Sequence, residues 1–196
     1  MPKNIKYYLA AYNLVAFIFW LAYLCSFMAN GFALSPTGLL LLNIAQGLAV
    51  LEIIHALLKW VKSPVASTAA QVASRLLVLA LINIFTKNEL FVSVISKGVF
   101  ICSLVWGITE LVRYSFYLLS LFNKQPSFLL WMRYTFFIVL YPLGVTGEWF
   151  ILAGPVVTHA VSSKAYIVFI SIMAIAYVYY FPMLYKYMWK QRSLKL

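Results

Sequence analysis

Six long apolar runs constrain this chain more than any other feature. Each run is close to the 20 or so residues that a helix needs to cross a bilayer core of about 30 Å. The chain is 65% hydrophobic with a mean hydropathy of +0.94, whereas soluble domains are about half apolar and carry far more charge. These properties exclude a water-soluble fold.

The runs predict an all-α membrane protein, a six-transmembrane-helix bundle that forms a single transmembrane domain over residues 1–196. Pro, Gly, Ser and Asn residues separate the runs, and the ten-residue alternation of an outer-membrane barrel is absent. The predicted spans lie near residues 7–29, 38–58, 66–86, 98–121, 128–152 and 166–188.

The basic residues, which give a formal net charge of +11, lie beside the spans. With a cytosolic N-terminus, three of them (Lys87, Lys97 and Lys164) fall on the far side of the membrane. Nine fall on the cytosolic side: Lys3, Lys6, Lys59, Lys62, Lys124, Lys186, Lys190, Arg192 and Lys195. The positive-inside rule therefore predicts cytosolic N- and C-termini. Topology and anionic membrane lipid explain the charge, so we expect no nucleic-acid partner.

Ionisable side chains occur inside the predicted spans, where each costs roughly 2.5–3.5 kcal/mol on insertion scales. Of the four glutamates, only Glu89 falls in a predicted loop. Three pairs share a helical face through a spacing of three or four residues, and we expect these faces to point inward. The pairs are Glu52 with His55, Gln71 with Arg75, and Glu110 with Arg113.

Mutual pairing is the favoured interpretation of these charges, with a catalytic role as the minority hypothesis. In that interpretation helix packing is held by Glu52, Arg75, Glu110, Arg113 and Arg133. No metal or cofactor is expected, because a Glu and a His alone do not complete a metal site and the two cysteines lie in separate apolar runs.

The fifth predicted span carries an unusual stripe. At 100° per residue, an arc of about 80° contains Arg133, Phe137, Tyr141, Gly144 and Glu148. The Tyr and the Glu are nearly eclipsed and about 10 Å apart along the axis, a separation suited to flanking a small reacting unit. The alternative is a packing helix with an interfacial Glu.

Proton transfer is the chemistry that this stripe suits. A buried phenol and a buried carboxyl can serve as general acid and base. The chain has no Asp, no His-rich cluster and no Gly-rich phosphate loop, so competing hydrolytic and nucleotide chemistries lack their residues. We also expect Pro142 to kink this span, because proline removes a helical hydrogen bond.

Five motifs in register resemble the 3-hydroxyacyl-CoA dehydratases of very-long-chain fatty acid elongation. The run YPLGVTGE at 141–148 is similar to the family signature. Supporting runs are LEIIH at 51–55, QVASR at 71–75, WGITELVRY at 106–114 and WMRY at 131–134. The resemblance extends from about residue 8 to residue 188.

The resemblance implies a multi-pass protein of the endoplasmic reticulum membrane that dehydrates (3R)-3-hydroxyacyl-CoA to trans-2-enoyl-CoA. It implies that Tyr141 and Glu148 are the catalytic pair. Its implied partners are the elongase, the ketoacyl-CoA reductase and the enoyl-CoA reductase. Supporting positions are implied for Glu52, Gln71, Arg75, Arg133 and Gly144.

Phosphatase activity, which another name of this family suggests, has no chemical basis here. The degenerate His-Cys-x-x-Gly run of some members is replaced by His55-Ala56-Leu57-Leu58-Lys59, so the cysteine nucleophile is missing.

Our mechanistic hypothesis is that Glu148 takes the C2 proton of the substrate while Tyr141 protonates the departing C3 hydroxyl, although the reverse assignment also fits. Tyr141 lies about 20 Å of helix from the cytosolic start of its span, similar to the reach of a pantetheine arm. We therefore expect the CoA nucleotide at a rim formed by Lys59, Lys62, Lys124 and Lys186. The alternatives are a catalytically inactive scaffold of the elongation complex and a proton-coupled transporter.

Overall fold

The computed structural model describes residues 2–87, 93–159 and 161–196. Glu89 and the side chain of Lys87 lie outside this part of the chain. The described residues form eight α-helices and no strand. The helices are α1 (Lys3–Ala29), α2 (Pro36–Leu48), α3 (Val50–Leu57), α4 (Val65–Lys87), α5 (Ser93–Ser120), α6 (Ser127–Thr135), α7 (Phe137–Val157) and α8 (Lys164–Lys195).

Six helical segments of the described chain are long and apolar enough to cross a membrane, which confirms the predicted count. Helices α2 and α3 together make the second segment, Pro36–Leu57, with an interruption at Ala49. The predicted boundaries agree with the helices to within several residues at most ends. The largest differences are at the start of the fifth span, which begins at Phe137, and at the end of the last span, where α8 continues to Lys195.

Helix α5 is the centre of the bundle and packs most extensively against α7 and α1. Its buried side chains recur every three or four residues, as expected for a helix that is enclosed along one broad face. They include Ile95, Val99, Cys102, Trp106, Glu110 and Tyr114. Helix α8 is the opposite case, since it rests on α6 and α7 and none of its residues is buried.

Two glycines bring α5 and α7 into backbone contact. A Cβ on Gly98 would lie 2.7 Å from the carbonyl oxygen of Gly147, and a Cβ on Gly147 would lie 2.8 Å from Sγ of Cys102. Small residues allow this close approach between membrane helices, where van der Waals packing drives association. The contact holds the middle of α7 firmly against the centre of the bundle.

The fifth span is interrupted before Pro142, where the predicted kink stays a prediction. The interruption lies at Phe136, between α6 and α7, and α7 continues through Pro142. Proline leaves the carbonyl four residues earlier without its helical donor. That carbonyl, on Ile138, accepts a hydrogen bond from the Tyr185 hydroxyl of α8 at 3.2 Å, so a neighbouring helix replaces the missing bond.

Three contacts show which helix ends lie together. Lys6 at the start of α1 lies 4.7 Å from the ring of Phe122, just after α5. Tyr8 packs on Trp60, just after α3, with ring centroids 5.4 Å apart. At the other terminus, Trp189 of α8 packs on Phe137 at the start of α7. The basic loops therefore lie at the same end of the bundle as the start of α1. That this end faces the cytosol stays a prediction.

Replacing Gly98 with Ala should lower the thermal midpoint of the detergent-solubilised protein. The new methyl group meets rigid backbone of α7, and overpacking of this kind costs about 1–3 kcal/mol. Tryptophan fluorescence during heating measures the effect. Gly47→Ala is the matched control, because nothing lies within 4 Å of the Cβ that it would add. An equal midpoint in both variants would contradict the close contact between α5 and α7.

Candidate active site

Glu148 lies halfway along α7, at the seam where α7 meets both α5 and α8. The Tyr177 hydroxyl of α8 donates a hydrogen bond to Oε2 of Glu148 at 2.5 Å. The Trp106 indole N–H of α5 donates to Oε1 at 3.3 Å. Each carboxylate oxygen thus has its own donor, and the donors come from two different helices.

Tyr141 lies two turns earlier on α7, and its ring is stacked on the aromatic side chains of α8. The ring centroids are 5.0 Å from Phe181 with an interplanar angle of 9°, and 6.2 Å from Tyr185 with an angle of 12°. Within the described residues the Tyr141 hydroxyl forms no hydrogen bond, and none joins it to Glu148. The two groups therefore stand apart along one side of α7, as the helical spacing predicts.

Gly144 lies between them and faces α5. A Cβ at this position would be 3.2 Å from Cγ1 of Val105, and the Cys102 thiol points to the Gly144 carbonyl with an S–O separation of 3.9 Å. The absence of a side chain keeps α7 close to α5 on this face, while Tyr141 faces α8.

Four charged residues on three helices form one chain of ion pairs. Arg113 binds Glu52 with two hydrogen bonds, of 2.5 and 2.7 Å, and its Nε donates to Glu110 at 2.7 Å. Glu110 also pairs with Arg75. The chain runs from α3 through α5 to α4, which confirms the expected pairing for these four residues.

Tyrosine hydroxyls complete the surroundings of Glu52. Tyr114 donates to its Oε1 at 2.7 Å and Tyr12 of α1 donates to the same oxygen at 3.3 Å. His55 is buried nearby, and its Nε2 forms a hydrogen bond of 3.1 Å with the Tyr8 hydroxyl. These side chains therefore satisfy one another by hydrogen bonds, as a low-dielectric interior favours.

Trp106 connects the ion pairs to the candidate site. The Arg75 guanidinium lies over the Trp106 ring, 5.7 Å from its centroid, while the indole N–H of the same residue points to Glu148. Trp106 therefore contacts both Arg75, a member of the ion pairs, and Glu148.

Two expectations for supporting residues are wrong. Arg133 does not join the ion pairs. It donates to the Tyr117 hydroxyl at 3.1 Å and lies 4.7 Å from the ring of Phe116, because the break at Phe136 places it on a separate helix, α6. Gln71 is exposed rather than inward-facing. It lies about 9 Å from the start of α4, near the depth where headgroups can satisfy an amide.

The predicted CoA-rim lysines are all exposed. Lys59 and Lys62 follow α3 and Lys124 follows α5, at the end of the bundle that holds the start of α1, while Lys186 lies on the C-terminal part of α8. Two grooves lie away from these lysines. One of about 430 Å³ is lined by Phe32 and Phe100, and one of about 380 Å³ by Ile108 and Val139.

No group of three His, Cys, Asp or Glu residues able to hold a metal ion occurs among the described residues.

Sequence analysis missed the side chains that hold the candidate pair. Trp106 was seen only as part of a motif, and Tyr177, Phe181 and Tyr185 were not singled out. Their signal is the four-residue spacing along the last span, which puts all three on one face of α8. In a chain with 14 tyrosines and 15 phenylalanines, that spacing alone does not distinguish them from lipid-facing aromatic residues.

Similar proteins agree with the motifs. Residues 46–196 match the model of a family described as protein tyrosine phosphatase-like protein, PTPLA. The chain is 36% identical over 212 residues to very-long-chain (3R)-3-hydroxyacyl-CoA dehydratase hpo-8 of Caenorhabditis elegans, with 97% of this chain and 94% of that protein covered. It is 36% identical to very-long-chain (3R)-3-hydroxyacyl-CoA dehydratase 2 of Mus musculus, with 94% of this chain and 79% of that protein covered. No solved structure matches the chain significantly.

Replacing Glu110 with Gln should strongly destabilise the bundle. The change removes the carboxylate charge that Arg75 and Arg113 share, and breaking a buried ion pair costs on the order of 3–5 kcal/mol. Thermal unfolding in detergent measures the loss. The double variant Glu110→Gln/Arg75→Gln should lose less stability than the sum of the losses in the two single variants, because the second change removes the cation that the first change leaves unpaired. Additive losses would rule out a direct interaction between Glu110 and Arg75.

Proposed function

Since the chain belongs to the protein tyrosine phosphatase-like (PTPLA) family, several members of which are named very-long-chain (3R)-3-hydroxyacyl-CoA dehydratases, we propose that it removes water from (3R)-3-hydroxyacyl-CoA to give trans-2-enoyl-CoA. The observation that carries the proposal is the position of Glu148. A carboxylate held by two donors in the middle of a membrane helix, two turns from a tyrosine, is the acid–base equipment that this reaction needs.

The reaction requires one group at each of two adjacent carbons. A base removes a proton from C2, the C2–C3 double bond forms, and the C3–O bond breaks as an acid protonates the departing hydroxyl to water. The base ends protonated and the acid deprotonated, so one proton must pass from the first group to the second before the next turnover.

We assign the base to Glu148. The two hydrogen bonds to this carboxyl come from groups that act as donors, Tyr177 and Trp106, and donors stabilise the ionised, proton-accepting form. The acid is then Tyr141, whose hydroxyl forms no hydrogen bond within the described chain and is available to the leaving group. Stacking on Phe181 fixes the plane of the ring without engaging the hydroxyl.

The depth of the pair fits a CoA thioester that enters from the basic end of the bundle. Tyr141 lies about 21 Å of helical rise from Ser127, where α6 begins. The nucleotide phosphates would remain near the exposed lysines of that end, and the acyl chain would continue between the apolar helices. Arg75 lies over the ring of Trp106, so its positive charge lies near Glu148 on the α4 side.

Cellular placement follows from the proposed reaction. We propose an endoplasmic reticulum protein with cytosolic termini that acts third in the very-long-chain fatty acid elongation cycle. It would receive its substrate from the ketoacyl-CoA reductase, pass its product to the enoyl-CoA reductase, and associate with the elongase.

Replacing Tyr141 with Phe and Glu148 with Gln should each lower the dehydration rate by at least about 10²-fold, which is the range for loss of a general acid or base. Purified protein in detergent is assayed by mass spectrometry of the enoyl-CoA formed from 3-hydroxyacyl-CoA. Tyr179→Phe is the control, because Tyr179 is 69% exposed on the lipid-facing side of α8.

Retained turnover in both variants would refute the assignment of the pair. An inactive wild-type protein that still binds its elongation partners would favour the scaffold, and solute uptake into proteoliposomes would favour the transporter.

Exchange of the rim lysines for Gln should raise KM for the CoA ester while kcat stays close to the wild-type value, because the phosphates are bound far from the reacting carbons. The combined variant Lys59→Gln/Lys62→Gln/Lys124→Gln/Lys186→Gln should also reduce the dependence of KM on salt concentration, since exposed charges are screened by salt. Lys164→Gln at the opposite end of α8 is the control. An unchanged KM in the quadruple variant would exclude this rim.

A further inference from the structure

The last span contacts both members of the candidate pair although it is the least buried of the six spans. Tyr177, Phe181 and Tyr185 are spaced by four residues on one face of α8, where Tyr177 binds Glu148 and the other two rings stack on Tyr141. The opposite face is exposed, with Ile175, Val178 and Tyr179 all about 70% accessible or more. The face that meets α7 therefore carries specific contacts.

The contact from Tyr177 is the shorter of the two that Glu148 receives. A hydroxyl that donates to a carboxylate forms a short, charge-assisted bond, and the 2.5 Å separation lies at the short end of that class. The indole donor of Trp106 is 3.3 Å away. Of the two donors, Tyr177 therefore has the greater effect on the direction and the charge of the carboxylate.

A Glu side chain has three rotatable bonds, so a carboxylate that must meet one substrate proton needs a support. Trp106 belongs to the closely packed helix α5 and is 2% exposed, so it restrains one oxygen from a rigid element. Tyr177 restrains the other oxygen from α8. The two donors together define the plane of the carboxylate.

We propose that Tyr177 is the positioning residue of Glu148. Its hydroxyl holds Oε2, so that the carboxylate is directed to the C2 proton of the acyl chain. This inference rests on the proposed function, and it adds a role for the last span that no motif in the sequence indicates.

The test is Tyr177→Phe, which removes one oxygen and keeps the ring. We expect kcat to fall roughly 10–100-fold, the loss associated with a misplaced catalytic group, while KM changes by less than about twofold because the CoA contacts are intact. The limb of the pH–rate profile that belongs to Glu148 should also move to higher pH, since loss of a donor disfavours the carboxylate. A residue with only a packing role would not move that limb.

Tyr166→Phe is the matched control. Tyr166 lies three turns earlier on the same face of α8, and its hydroxyl donates to the backbone carbonyl of Leu152 at 2.7 Å, away from both catalytic candidates. It should keep the wild-type kcat and pH profile. A wild-type kcat and pH profile in Tyr177→Phe would overturn the proposal.

The outcomes separate this inference from the proposed function. An inactive wild-type protein would refute the function itself, whereas an active wild-type protein with an unaffected Tyr177→Phe variant would refute only the positioning role. If Tyr177→Phe does not fold, Trp106→Phe removes the longer of the two hydrogen bonds. It should move the same pH limb by a smaller amount, and an unmoved limb would count against support of Glu148 by these donors.

Discussion

A charged side chain inside a bilayer must be paired, and the chain of ion pairs from Glu52 through Arg113 and Glu110 to Arg75 meets this requirement. The pairs tie α3, α5 and α4 together at fixed rotations, because a helix that turned would leave one charge without a partner. Two tyrosines close the Glu52 end of the chain. At the other end, Arg75 lies over the ring of Trp106. Trp106 therefore connects the ion pairs to the candidate site.

The candidate site lies between the closely packed helices α5 and α7 on one side and the loosely packed helix α8 on the other. On the rigid side, Gly98 and Gly147 let α5 and α7 touch through backbone and small side chains, so the position of Glu148 along the bundle is determined by close packing. On the other side, α8 has no buried residue and touches α7 mainly through aromatic rings. In the proposed reaction an acyl chain needs space beside Tyr141 and Glu148, and the span that can move at the lowest energetic cost is the one with the least buried area.

Sequence reasoning succeeded where the physics is local or compositional. Apolar run length predicted six spans, helical spacing put Tyr141 and Glu148 on one side of α7, and the motifs identified the family that the similar proteins confirm. It failed at Arg133, which was placed on the stripe of the fifth span by assuming one continuous helix. The break at Phe136 separates α7 from α6, which packs against α5 and α8, and no strong helix breaker marks that position in the sequence.

The sequence by itself determined the medium in which this protein folds, the number of its apolar spans and the need of the charged residues inside them for partners, because these follow from the cost of exposing polar groups to hydrocarbon. Only the tertiary structure decided which donors from other helices each glutamate receives. Glu110 and Glu148 are each the one carboxyl of an apolar span, and only Glu110 has an arginine three residues later in the sequence. In the bundle Glu110 pairs with two arginines, whereas Glu148 is held by a tyrosine and a tryptophan and pairs with no cation among the described residues. That difference depends on which helix lies beside each carboxyl. The local sequence does not determine this neighbour, because all six spans are similarly apolar.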